Sequence, residues 1–141
     1  MEQKSIQRYI SKLSNKVRRR LDVLSGQYGA LTGAEGRVLN YLLAQNIDQF
    51  QRDIEEEFDL RASTASEMLK SMERKGFIMR QPIAEDARMK KIVITPLGLS
   101  FQKQVQADLA EMDAKITAGI SDEDMECFFR VAEAMLKNLS D

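Results

Sequence analysis

A chain of 141 residues with 43% hydrophobic and 30% charged side chains is sized for one domain, or one domain with helical extensions, and is too apolar to be disordered. It contains no histidine, no Gly-rich phosphate loop and no apolar run long enough to cross a bilayer, which excludes His-based catalysis, the usual zinc sites and a membrane-spanning helix. The net charge of −1 hides an asymmetry, with 17 Lys/Arg against 13 Asp/Glu in residues 1–99 and 4 against 9 in residues 100–141.

Residues 3–25 read as one long amphipathic helix, because Ile6, Tyr9, Ile10, Leu13, Val17, Leu21 and Leu24 recur at steps of three and four. Lys12, Lys16, Arg18, Arg19 and Arg20 make its middle basic, a solvated face in the first instance and a nucleic-acid contact in the second. Gly26 and Gly29 break it. Thr32, with Glu35 three residues on, spells a capping box that opens a second helix, and Val38, Leu39, Leu42 and Leu43 supply its buried stripe. Residues 44–49 read as a loop.

Phe50, Ile54 and Phe58 recur at a spacing of four in a short third helix, and Asp59-Leu60 turns the chain into a fourth. Aspartate tolerates left-handed geometry better than most residues, so it suits that turn. The fourth helix carries Ala62, Ala65, Met68, Leu69 and Met72 on one side and ends at Gly76, after Arg74 and Lys75 in its last turn. Short helix, tight turn and second helix make a helix-turn-helix. Two apolar runs, Phe77 to Ile83 and Lys91 to Thr95, then flank a charged loop as a β-hairpin.

Thr95-Pro96 marks the start of a fifth helix, with Val105, Leu109, Met112 and Ile116 on one face and Gly119 at its end. Ser121 caps a sixth, and Asp122, Glu123 and Asp124 sit in its first turn, where negative charge suits the helix dipole. Phe128, Phe129, Ala132, Met135, Leu136 and Leu139 make this helix apolar over a wide arc that calls for two partners, its own core and another subunit. The expected fold is mostly α with a small β-hairpin wing: a winged helix-turn-helix domain, 31–98, flanked by helices in 1–30 and 99–141.

With its elements in this order, the sequence resembles the MarR (multiple antibiotic resistance regulator) family of winged-helix repressors. The resemblance rests on Leu31-Thr32, on Ser63-Thr64-Ala65-Ser66, and on Glu73-Arg74-Lys75-Gly76-Phe77-Ile78. It continues through Asp86-Ala87-Arg88 and Ile94-Thr95-Pro96-Leu97-Gly98, each in the correct order and spacing. It implies a transcriptional repressor that binds a pseudo-palindromic operator as a homodimer, and an effector sensed near the junction of the two regions. The first, fifth and sixth helices would make the dimer, with Ile6, Tyr9, Ile10, Leu13, Phe128, Ala132, Met135 and Leu139 at the interface.

The N-terminal half of the fourth helix would enter the major groove, which admits an α-helix and displays the base-pair code. Ser63, Thr64 and Ser66 are short enough to reach base edges or phosphates there, although Ser63 and Thr64 suit helix capping as well. Arg61 and Lys70 would neutralise phosphates. Arg88, at the hairpin tip, would enter the narrow minor groove, with Asp86 orienting it and Lys90 and Lys91 supporting the wing electrostatically. Tyr28, Arg37 and Tyr41 are expected to line the effector pocket.

Two features depart from the family pattern. Glu67 puts a carboxylate where many relatives carry arginine or another polar reader, either to accept from a cytosine amine or to turn away toward Lys70 or Ser71, and Asp53, Glu55, Glu56, Glu57 and Asp59 make the third helix acidic. They support an alternative, a winged-helix module that binds protein. Solvated helix faces account for Asp53–Asp59 and Asp122–Glu126, so neither metal nor cofactor is expected, and the chain is not read as an enzyme. Cys127 reads as buried packing rather than a redox switch. With no apolar leader at the N-terminus and a single cysteine, a cytoplasmic location is expected.

Overall fold

The computed structural model describes residues 4–25 and 31–140, in two compact units, Met1–Leu109 and Ala110–Asp141. The first unit opens with α1 (Ile6–Ser25), whose apolar stripe is divided in use: Leu21 and Leu24 are buried, while Ile6, Tyr9, Ile10 and Leu13 are exposed. The buried end packs on α2 (Gly33–Leu43). A Cβ on Gly33 would lie 2.6 Å from the Leu21 Cβ, so the two helices meet where only hydrogen fits. The Asp22 carboxylate accepts the Gly33 N–H at 2.8 Å, so α1 caps α2 from the side.

The capping box of α2 forms as its sequence predicts, with Thr32 Oγ1 accepting the Glu35 N–H at 3.1 Å and Glu35 Oε1 accepting the Thr32 N–H at 3.0 Å. Helix α3 (Gln51–Glu57) starts on a related device, the Asp53 carboxylate accepting the Phe50 N–H at 2.8 Å. Asp59 turns the chain at φ 51°, in the left-handed region, and α4 (Ala62–Arg74) follows. Leu39, Ile54, Leu69, Met72 and Ile78 are fully buried, so one core joins α2, α3, α4 and the hairpin.

Gly76, at φ 84°, ends α4 and releases the chain into β1 (Ile78–Pro82). Antiparallel β2 (Lys90–Ile94) pairs with it from Ile78↔Ile94 to Pro82↔Lys90. Gln49, expected in a loop, bridges the other edge of β2, its carbonyl accepting the Ile92 N–H at 2.7 Å. A two-stranded hairpin is marginal alone, and this third contact ties its base to the helical core.

The single fifth helix expected after Thr95 is two helices, α5 (Pro96–Ser100) and α6 (Gln102–Thr117), divided at Phe101. Packing at the hairpin base explains the break. Thr95 Oγ1 donates to the Gly76 carbonyl at 2.6 Å and accepts the Gly98 N–H at 3.1 Å, and a Cβ on Gly98 would lie 2.5 Å from the Phe77 oxygen. The first turn is held on the start of β1, and the Phe101 ring lies 5.4 Å from that of Phe77.

In the second unit, Gly119 at φ 76° follows the end of α6, and Ser121 caps α7 (Asp122–Leu139) by accepting the Asp124 N–H at 3.1 Å. None of the residues of α7 is buried, which corrects two expectations. The expected burial of part of its arc is absent, because Phe128, Phe129, Val131, Leu136 and Leu139 are all exposed and only Met125, Ala132 and Met135 are partly covered. Cys127 is likewise exposed, not packed. Among the described residues no helix is long and apolar enough to cross a membrane.

Candidate nucleic-acid interface

The first turn of α4 settles one ambiguity in the sequence. Arg61 occupies the N-cap position with extended backbone angles and no side-chain cap bond. Ser63 and Thr64 therefore lie inside the helix, both exposed, and neither acts as the cap. Arg61, Ser63, Thr64, Glu67 and Lys70 are exposed and Ser66 is partly so, while Ala65 and Leu69 turn into the core. The helix thus presents hydroxyls in its first turn and an ammonium one turn later. Three ion pairs occur among the described residues, and neither Glu67 nor Lys70 enters one.

At the hairpin tip, Asp86 Oδ1 accepts from the Arg88 backbone N–H at 2.9 Å and from the Arg88 Nε at 3.3 Å. The Asp86 carbonyl accepts the Met89 N–H at 3.0 Å, closing the turn. Arg88 nevertheless keeps 92% of its side chain exposed. One carboxylate oxygen thus fixes both the turn and the root of the guanidinium arm. Lys90 is exposed and Lys91 half-buried on β2, opposite Pro82 and Gln81.

The acidic third helix is partly absorbed by structure. Asp53 caps its own helix, and Glu55 accepts from the Gln51 side chain at 3.2 Å, leaving Glu56 and Glu57 exposed. Burial, then the negative charges of Glu57, Asp53 and Glu56, raise the Tyr41 phenol above its ordinary pKa. Tyr41 donates to Gln49 Oε1 at 2.9 Å and sets its ring edge-on to Phe58, so its hydroxyl is already partnered. Arg37 is exposed on α2, and Tyr28 lies outside the described residues. A cleft of about 430 Å³ is lined by Arg18, Asp22, Leu31, Thr32 and Ala34, without Arg37 or Tyr41.

Two polar groupings escaped the sequence reading. Lys75 Nζ lies 2.6 Å from Glu35 Oε1, tying the end of α4 to the start of α2, with the Glu35 side chain only 3% exposed. Burial acts to raise the Glu35 pKa, but the Lys75 ammonium, the Thr32 amide and the Ser71 hydroxyl outweigh it, and the carboxyl lies below its ordinary value. Arg80 of β1 donates from Nε to Glu73 Oε1 at 2.7 Å and from Nη1 to Gln51 Oε1 at 3.4 Å. The spacing of Glu73 and Arg80 across Gly76 was the available signal, but nothing in it specifies that the strand folds back over the helix.

Residues 31–90 match the family model described as the MarR family. The Staphylococcus aureus MepR–DNA complex is 26% identical, covers 97% of this chain and 100% of its own, and superposes with a TM-score of 0.89. The transcription regulator MarR from Oenococcus oeni PSU-1 is 25% identical over 94% of this chain and 99% of its own, with a TM-score of 0.82. The heme sensor protein PefR, in complex with heme and carbon monoxide, is 28% identical over 96% and 94%, with a TM-score of 0.64. No curated protein matches the chain by sequence.

Proposed function

From the premise that residues 31–90 form a MarR-family domain, we propose that this protein is a sequence-specific DNA-binding transcription regulator. In this reading it is a repressor that occupies a pseudo-palindromic operator as a homodimer and yields it to a small-molecule effector. The observation that carries the DNA reading is the wing tip, where a guanidinium with 92% of its side chain in solvent is held by a carboxylate two residues away. An arginine on a thin, fixed support suits the narrow minor groove, where the negative potential is strongest. The solved MepR–DNA complex and the PefR heme complex are relatives consistent with the DNA and effector parts of the reading.

In the major groove, Ser63, Thr64 and Ser66 would read base edges or phosphates, with Arg61, Lys70, Lys90 and Lys91 supplying charge. The homodimer would cover the exposed stripes Ile6, Tyr9, Ile10 and Leu13 on α1, and Phe128 and Leu139 on α7, beside the partly covered Ala132 and Met135. The effector site is proposed beside α2 at Tyr28, Arg37 and Tyr41, where Arg37 offers an exposed cation. A ligand acceptor at the Tyr41 hydroxyl would have to replace Gln49, whereas a ligand donor could bond to the same oxygen beside it.

Titration against the protein's own upstream intergenic DNA at several salt concentrations tests this, beside the Arg88→Ala variant. Specific binding to a two-fold site, a steep loss with salt and a large loss in the variant are expected. Absent binding, or equally weak binding to any sequence, would instead favour a protein-binding module, and the exposed Glu56, Glu57 and Glu67 would become its contact residues.

A further inference from the structure

The inward face of β1 carries an unexpected residue. Ile78 is buried on that face, and Arg80, two residues on and paired with the buried Ile92, follows the same side of the pleat. Its side chain is only 18% exposed, so it is turned away from solvent, unlike Arg88 on the same hairpin. A guanidinium in such a place needs acceptors, and two other elements provide them. Glu73, in the last turn of α4, takes Nε at 2.7 Å, and Gln51, the first residue of α3, accepts Nη1 at 3.4 Å. The Gln51 amide nitrogen in turn donates to the Ala62 carbonyl, at the first residue of α4, at 3.2 Å. Both ends of α4 are thereby joined to the middle of β1 through one arginine and one glutamine.

We propose that Arg80, Glu73 and Gln51 form a polar clamp that sets the distance between the start of α4 and the wing tip. Its functional meaning rests on the DNA-binding reading above: Ser63 and Thr64 enter one groove, Arg88 enters another, and both fit together only at one separation. Gly76 is the sole residue between α4 with its C-cap and Phe77, and it has no side chain of its own to brace the wing at that joint. The charge-assisted Arg80–Glu73 bond supplies that support from within the hairpin. Arg80, Glu73 and Gln51 are positioning residues that touch no DNA.

Two measurements decide the proposal independently. In the first, spin labels at Glu67 and Glu85 report the helix-to-wing distance in DNA-free protein, in a Cys127→Ser background diluted into unlabelled chains so that a dimer carries one labelled copy. Arg80→Gln is expected to broaden a narrow distance distribution, and Gln51→Ala, which removes only the α3 link, to broaden it less. An unchanged distribution in both overturns the clamp, whether or not the protein binds DNA. In the second, Arg88→Ala is measured in wild-type and Arg80→Gln backgrounds. Loss of Arg88 is expected to cost about tenfold or more in affinity with the clamp intact and about threefold or less without it. Equal losses in both backgrounds, or an Arg80→Gln salt slope reduced by about 0.9, would mean independence or direct phosphate contact and overturn it. A failure of the wild type to bind DNA removes the DNA-binding reading and leaves the distance measurement to judge the clamp.

Discussion

Lys75 and Glu35, forty residues apart, meet at 2.6 Å where the end of α4 lies over the start of α2. Glu35 performs two tasks with the same oxygen, accepting the Thr32 N–H that closes the capping box and the Lys75 ammonium. Local helix initiation and long-range packing thus depend on one buried carboxylate. Removing Lys75 leaves that charge without its partner, so Lys75→Met is expected to destabilise the fold by about 3 kcal/mol. Urea unfolding checks this, and a loss below about 1 kcal/mol would show that the pair contributes little.

The same carboxylate predicts a pH dependence. The folded-state pKa of Glu35 lies below its unfolded value, so the unfolded chain binds more protons through that window and stability rises with pH there. The contribution is complete above the ordinary glutamate range, about pH 4.3. It fades as pH falls through the folded value. Urea midpoints measured from neutral pH downward should fall less steeply in Glu35→Gln than in wild type. Parallel acid limbs would assign the loss to other carboxylates.

Salt dependence separates the two kinds of contact expected on α4. Lys70→Ala is expected to weaken binding by a similar factor on every DNA sequence and to lower the salt slope by about 0.9. Ser63→Ala is expected to leave the slope unchanged and relax preference at one base position. A Ser63 variant with reduced slope and intact preference would place that hydroxyl on a phosphate.

Glycine substitutions distinguish crowding from backbone geometry. Gly33→Ala and Gly98→Ala would set a methyl 2.6 Å from the Leu21 Cβ and 2.5 Å from the Phe77 oxygen, contacts that require helix movement. Losses of about 1–3 kcal/mol are expected from such overpacking. Gly119→Ala meets nothing within 4 Å and bears only the strain of φ 76°, about 1 kcal/mol. Thermal unfolding of the three variants gives the order, and a Gly119 loss equal to the other two would overturn it.

The exposed stripes on α1 and α7 predict association. Leu13→Asp and Phe128→Asp each place charge on an exposed apolar face without entering the core. Sedimentation equilibrium should give twice the chain mass for the wild type and an approach to single-chain mass for the variants, with helical content retained. A monomeric wild type, or variants with unchanged mass, would leave those faces for another partner.

Much of this protein is local and therefore legible in its residues. Thr32 and Glu35 fix the start of α2, Asp59 its left-handed turn, Gly76 the end of α4, and Ser121 the start of α7, because each need is met within four residues. The apolar periods of α2, α3 and α4 identify the core face for the same reason. Tertiary structure decided what depends on elements distant in sequence. The approach of Gly98 to Phe77 split the expected fifth helix at Phe101, and α1 divided its single stripe into a buried end and an exposed one. Arg80 found its acceptors on two other elements, and Tyr41 gave its hydroxyl to Gln49. A hydrogen bond or a close approach between remote segments depends on where the whole chain places them, and periodicity along one segment carries no record of that.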